Sequence, residues 1–370
     1  MLSATFASVM ETIGFIILGL LMLMFMVVVH ELGHYTAGKL LGFKITEFGI
    51  GFGPAIFKKT NKKTGEVFSV RPIPLGGFCS FEGEDDAENQ SEGAFEKQPP
   101  WKRLIVLFSG AFANLISGWL IIVIFFSAYG QILPSIRNVH ADSANIGVLE
   151  QGDVFLSVDG KTLNILTTED YNDAFSTEAD SVEVVVLRDG KRVKLTLTKS
   201  TCISGVYDEN GNFVPEYDEE TGEPESYYGF GFTSVLGAVK LPFGLALGRS
   251  FSFMFFLVYK ILAILGSLIT GNLAFNNVGG PVTTITVMAE AASGGWQTLM
   301  YVMSLVSANL AVMNLLPLPA LDGSRMVFCL IEWIFKKPVN KKVEAAIHSI
   351  GFVCLLLFAI FADIFRFATT

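Results

Sequence analysis

Charge is what this 370-residue chain has least of. Asp, Glu, Lys and Arg make up 16% of it and hydrophobic residues 51%, whereas a soluble globular chain is about a quarter charged. The shortfall argues against a water-soluble fold and for a membrane protein. Cysteine is scarce as well. Cys79, Cys202, Cys329 and Cys354 include no C-x-x-C pair, which argues against a disulfide framework or a thiolate zinc site. No Lys or Arg precedes the first apolar run, Ile13 to Val29, and no small-residue cleavage site follows it. A secretory leader needs both, so the run reads as a retained helix. No basic patch interleaves with aromatics, which leaves no basis for nucleic-acid binding.

What is present is a set of apolar stretches long enough for a bilayer, which takes about 20 helical residues. They cover about 10–34, 104–128, 297–317 and 346–365. A further stretch, Phe251 to Thr270, holds Lys260 at its centre. Basic residues mark cytosolic loops. The loop 36–103 holds ten Lys or Arg, and Lys336, Lys337, Lys341 and Lys342 sit between the last two stretches, whereas 131–235 holds seven basic against nineteen acidic residues. The first two regions are therefore expected in the cytosol and the third outside. A crossing at 251–270 would put the Lys336–Lys342 linker outside. Residues 236–270 are accordingly predicted to be a membrane-surface or re-entrant element with Lys260 snorkelling. The expected fold is a polytopic α-helical membrane protein with four transmembrane helices and both termini extracytoplasmic.

Between the helices the sequence turns β-rich. Phe43 to Phe57 and Glu66 to Phe78 are predicted to form a membrane-associated cytosolic β-hairpin within a first segment, 1–130. Asp189-Gly190 between Val182–Arg188 and Lys191–Thr198 is a strong hairpin signal, placing a small β-rich module in 131–200. The acid-rich stretch in 201–235 is predicted to be a flexible loop, solvated rather than a cation site. Residues 236–295 form the membrane-associated region, and 296–370 the last two spans.

His30-Glu31-Leu32-Gly33-His34 is an H-E-x-x-H pattern. On a helix, positions four apart share a face, so both imidazoles can reach one ion while Glu31 serves as general base. Ionisable residues at the end of an apolar span are functional by default. A hydrolytic zinc site takes three protein ligands, and Asp322, in Asn314-Leu-Leu-Pro-Leu-Pro-Ala-Leu-Asp322-Gly323, is expected at the same membrane depth. A plain helix-end turn at Asp322-Gly323 is the alternative. His140 and His348 lack partners at metal-ligand spacing. A metal transporter would show internal repeats, and none is apparent.

These motifs and the module between them resemble the site-2 protease family of intramembrane zinc metalloproteases, most closely bacterial regulator-of-sigma-E proteases. Phe48 to Pro54 resembles the family's G-F-G-P loop, Ile73 to Phe78 its P-L-G-G-aromatic segment, and Gly280-Pro281 its G-P element. Val139 to Leu163 resembles the loop and strand of a PDZ domain, which implies that 131–200 is a PDZ-like module. The resemblance implies Zn2+ held by His30, His34 and Asp322, with Glu31 catalytic. It also implies that substrate is handled by Asn309, Asn314, Gly51, Gly53, Gly76 and Gly77. The substrates it implies are single-pass membrane proteins trimmed beforehand on the outside, cut within the bilayer of a bacterial cytoplasmic membrane. One departure stands out: Ser109-Gly110-Ala111-Phe112-Ala113-Asn114 replaces the family's usual G-P-x-A-N.

Overall fold

The first apolar run folds as part of a 40-residue helix, α1 (Leu2–Leu41). Gly42 closes it at φ +82°, the left-handed conformation that commonly ends a helix. The computed structural model describes residues 2–84, 91–207, 213–271, 279–337 and 339–369. The chain divides into two units, Met1–Ile122 with Met254–Thr370, and Val123–Phe253.

In the first unit α1 is followed by β1 (Ile45–Phe52), β2 (Phe57–Thr60), β3 (Val67–Val70) and β4 (Ile73–Phe81). The sheet order is β2-β3-β1-β4. β1 runs parallel to β3 and antiparallel to β4, so the expected hairpin is a four-stranded sheet with β4 at one edge. Gly51 takes φ +83°, and a Cβ there would stand 2.7 Å from the Arg71 carbonyl oxygen. The chain can bend this tightly at the end of β1 only with glycine. Phe43, Ile45, Phe81 and Phe95 pack with Val106, Leu107 and Cys329 into one buried cluster. That cluster joins the sheet to the next helix, α2 (Pro100–Ala128).

The second unit contains β5 (Gln131–Val139), β6 (Val154–Val158), β7 (Lys161–Thr162), α3 (Thr168–Phe175), β8 (Ser181–Arg188) and β9 (Lys191–Thr198). Asp189 and Gly190 both take positive φ between β8 and β9, as a two-residue hairpin turn requires. Residues predicted to be a flexible acidic loop instead carry β10 (Ser200–Ile203), β11 (Gly205–Tyr207), β12 (Phe213–Pro215) and β13 (Ser226–Gly229). They pair as β10 with β13 and β11 with β12. Alternating aromatic and β-branched residues such as Tyr207, Phe213, Val214 and Tyr227 supply strand propensity that a charge count overlooks. β14 (Phe232–Val239) then returns to pair with β5 along its whole length. The sheet therefore closes on residues well beyond position 200.

Next comes α4 (Phe243–Ile269), a continuous 27-residue helix. It is long and apolar enough to cross a membrane, which brings such helices among the described residues to five by length and composition. Lys260 does not interrupt it, because a long side chain can extend from an apolar helix toward water. At its start, buried Arg249 donates to Gln131 Oε1 and to the carbonyls of Leu156 and Leu163. This ties α4 to the sheet of its own unit.

The first unit resumes at Met254, within α4, and continues with α5 (Pro281–Ser293), α6 (Trp296–Leu315), α7 (Asp322–Phe335) and α8 (Lys341–Thr369). A Cβ on Gly19 of α1 would stand 2.9 Å from the Ala289 nitrogen, so only glycine lets α5 lie this close. Asp363 of α8 accepts hydrogen bonds from the backbone N–H of Gly280, Val282 and Thr283 and from the Thr283 hydroxyl. Those are the orphan donors at the start of α5, which every helix N-terminus must satisfy somewhere.

Candidate metal centre

One helical turn of α1 separates His30 from His34, which puts both imidazoles on one face. The Pro317–Pro319 segment ends α6, because proline cannot continue a helix, and the chain turns through Ala320 at φ +70° to begin α7 at Asp322. The turn is braced from α8: the Ala320 N–H donates to His348 Nδ1 at 3.0 Å. A Cβ on Gly351 would overlap Pro319 at 1.9 Å, so α8 packs directly on the turn. His348 seemed an ordinary residue in the sequence, yet it positions the loop that carries Asp322.

The three side chains converge. Asp322 Oδ2 stands 3.0 Å from His30 Nε2 and 3.2 Å from His34 Nε2, and the two nitrogens are 3.1 Å apart. Four ligands at tetrahedral angles, each about 2.0–2.1 Å from a zinc ion, stand about 3.3 Å from one another, so this donor set fits zinc. His34 Nδ1 donates to the Val106 carbonyl at 2.7 Å, which leaves the Nε2 lone pair facing the cluster. Such an outer partner is the usual companion of a metal-binding imidazole. On His30 the outer nitrogen faces the Asn114 amide at 3.5 Å, and Asn114 Oδ1 is buried with no other partner. With the amide turned over, that oxygen would accept from His30 Nδ1–H.

Helices pack tightly around the cluster. A Cβ on Gly33 would stand 2.3 Å from the Ser109 carbonyl oxygen, and one on Gly110 would stand 2.4 Å from His34 Nε2. The Ser109–Asn114 stretch that departs from the family pattern lies within continuous α2, against the histidines. Glu31, His30, His34, Asp322, Asn114 and Asn314 all line a cavity of about 320 Å³. Glu31 sits beside the edge strand: a Cβ on Gly77 would stand 3.2 Å from Glu31 Cγ, and Cys79 lines the same cavity.

Not every expected residue reaches this cavity. Asn309 is exposed on α6, away from its lining. Gly51 and Gly53 shape the end of β1, and a Cβ on Gly76 would collide with the Phe52 ring at 2.3 Å. These three glycines do not touch the cluster. The structure adds Glu84 and Arg325, whose ion pair of 2.7 Å lines both this cavity and a second one of about 340 Å³. Arg325 follows Asp322 by three residues on α7, a spacing that puts both on neighbouring positions of one helix face. That signal was available in the sequence.

Residues 18–358 match the family described as peptidase family M50. A Fusobacterium nucleatum protein named "Putative zinc metalloprotease FN1322" is 31% identical over 361 residues, covering 94% of this chain and 97% of that protein. A Clostridium perfringens protein, "Putative zinc metalloprotease CPE1693", is 32% identical over 347 residues, covering 92% and 95%. A Brucella suis relative, "Putative zinc metalloprotease BR1156/BS1330_I1152", is 31% identical over 389 aligned positions, covering 98% of each chain. With several membrane-spanning-capable helices around a zinc-compatible donor set, the chain is a multi-pass membrane zinc metalloprotease and belongs to peptidase family M50, the site-2 proteases.

Proposed function

We propose that this protease cuts the transmembrane segments of single-pass proteins whose extracytoplasmic part has already been trimmed, with His30, His34 and Asp322 as zinc ligands and Glu31 as general base. One observation carries the reading. Three donors separated by up to 292 residues converge in a cavity lined by Glu31, next to the unpaired edge of β4. A substrate helix hides its own peptide bonds, so it must unwind before cleavage. Its freed backbone groups can then pair with β4 as an added strand, and Gly77 leaves room for the backbone beside Glu31. Asn314 offers a further amide to the substrate backbone.

Zinc, when bound, polarises the scissile carbonyl and eases deprotonation of water. Glu31 takes the proton from the attacking water and returns it to the departing amide nitrogen, the usual route of general acid–base catalysis.

The same reading sets the protein in a bacterial cytoplasmic membrane with both termini outside. It gives four crossings, with α4 at the membrane surface, because that arrangement keeps the Lys336–Lys342 linker cytosolic. The module beginning at β5 then lies outside as a PDZ-like gate that admits trimmed substrates. Glu31→Gln is the deciding variant. Purified protein should retain its zinc and fail to cleave a single-pass reporter, and a fully active variant would refute the mechanism.

A further inference from the structure

A second concave surface lies on the first unit, away from the metal ligands. It is a groove of about 650 Å³ between α1 and the β2–β3 hairpin. Its floor is Leu32 and Tyr35 of α1 with Phe48 and Phe68 of the sheet, whose rings stack at 6.1 Å with 9° between planes. Lys59 and Lys62 stand on its rim.

Charge distinguishes this groove from an ordinary apolar crevice. Lys58, Lys59, Lys62 and Lys63 fall within six residues, all of them exposed. The sheet's own carboxylates are already engaged: Glu66 with Lys39 at 2.5 Å, and Glu47 with Ser69 and Arg71 at 2.5 and 2.8 Å. Among the described residues none of the four ammonium groups forms an ion pair with a carboxylate. Beside them Ile56 is 71% exposed and Phe57 52%. Such apolar side chains on a highly charged hairpin fit the boundary between lipid headgroups and acyl chains.

We infer that this groove binds an anionic phospholipid, with its phosphate between Lys59 and Lys62 and part of an acyl chain along Leu32, Tyr35 and Phe68. Clusters of at least four basic residues at the end of a membrane helix are the pattern that selects anionic headgroups. The groove's volume is in the range of sites that enclose a ligand of drug size, enough for a headgroup and the upper part of one chain. A substrate strand is the weaker occupant. The groove is built from β2 and β3, at the opposite end of the sheet order from β4, and Leu32 and Tyr35 turn away from the face that carries His30 and His34.

The test uses the full-length protein, purified in a zwitterionic detergent and titrated with phosphatidylglycerol or phosphatidylcholine, with bound lipids counted by native mass spectrometry. The wild type should retain one phosphatidylglycerol in clear preference to phosphatidylcholine. Each groove lysine should contribute about fivefold in affinity. K59Q/K62Q should therefore weaken retention about 25-fold, while K341Q/K342Q, in the other basic segment, should leave it unchanged. Both variants alter exposed side chains, and unchanged thermal melting will show that they fold. Equal retention of the two lipids, an unaffected K59Q/K62Q protein, or an equal loss in K341Q/K342Q would overturn the inference. So would displacement of the lipid by a reporter substrate peptide, or by inorganic phosphate at the lipid's own concentration.

Discussion

Replacing Gly110 with alanine sets two effects of opposite sign against each other. Gly110 lies inside α2, where helix propensity favours alanine over glycine by about 1 kcal/mol. Against this, the new methyl would stand 2.4 Å from His34 Nε2 and 2.7 Å from His30 Cε1. The shortfall from ordinary contact is about 1 Å, and overpacking of that order costs about 1–3 kcal/mol. Neither imidazole can step aside cheaply, because His34 is held by the Val106 carbonyl at 2.7 Å and both rings meet Asp322. Nor can α2 retreat without opening its contact with Gly33. The steric term therefore wins, and it acts on the cluster rather than on the fold. G110A should keep its helical circular dichroism, lose most of its zinc by mass spectrometry, and cleave a transmembrane reporter about 100-fold more slowly, the usual result of a 1 Å misplacement. Gly14→Ala is the comparator, since a methyl there meets nothing within 4 Å. A G110A protein with full zinc content and wild-type turnover would show that Gly110 does not confine the histidines.

Three further outcomes follow from particular contacts. Asp363→Ala removes the acceptor of three backbone N–H groups and a hydroxyl at the start of α5. It should cost about 2–4 kcal/mol, read as a lowered melting temperature, with Asp363→Asn recovering part of the loss. Glu82 is held down to about 2 by its hydrogen bond from Lys44 and those from Ser91. Its folded-state pKa lies below the unfolded value, so its contribution is complete above about pH 4.5 and is lost as pH falls toward 2. Hydrogen exchange at the Ser91 amide, which donates to Glu82 at 2.8 Å, should accelerate across that window, and a flat profile would contradict the assignment. Stripping zinc with a chelator should destabilise the wild type, and restoring zinc to about 100 times its dissociation constant should return about 2.7 kcal/mol. The melting temperature of Asp322→Asn should barely respond, and a zinc-insensitive wild type would count against the ligand set.

How much of this was legible in the sequence depends on how local each signal is. H-E-x-x-H needs only helical spacing to bring its imidazoles together, and two prolines are enough to end α6 before Asp322. The sheet of 45–81 was read as a hairpin because strand propensity is local, whereas the parallel pairing of β1 with β3 is a choice of partner that propensity does not encode. The strands of 200–229 were hidden by composition, since a count of acidic residues says nothing about the alternation between them. α4 was kept off the list of spans by a topological rule about charge, but helix formation follows periodicity and is indifferent to it. Asn309 and Asn314 look equivalent as motif members. Five residues correspond to about 500° of helical rotation, so the two face different directions and only Asn314 reaches the cavity. Gly110 stood in the sequence only as part of a stretch that departs from the family's G-P-x-A-N; its importance is a packing fact that appears only once α1 and α2 are placed together.

The bond network around Asp363 has a consequence for synthesis. The acceptor that caps α5 lies 83 residues further along the chain than Gly280, and the third proposed zinc ligand follows the first two by 292 and 288 residues. A nascent chain thus carries both histidines and Glu31 without the aspartate that completes the donor set until residue 322 is added. The donor set can form only once the segment carrying Asp322 has been made, so a shorter nascent chain holds no complete metal centre.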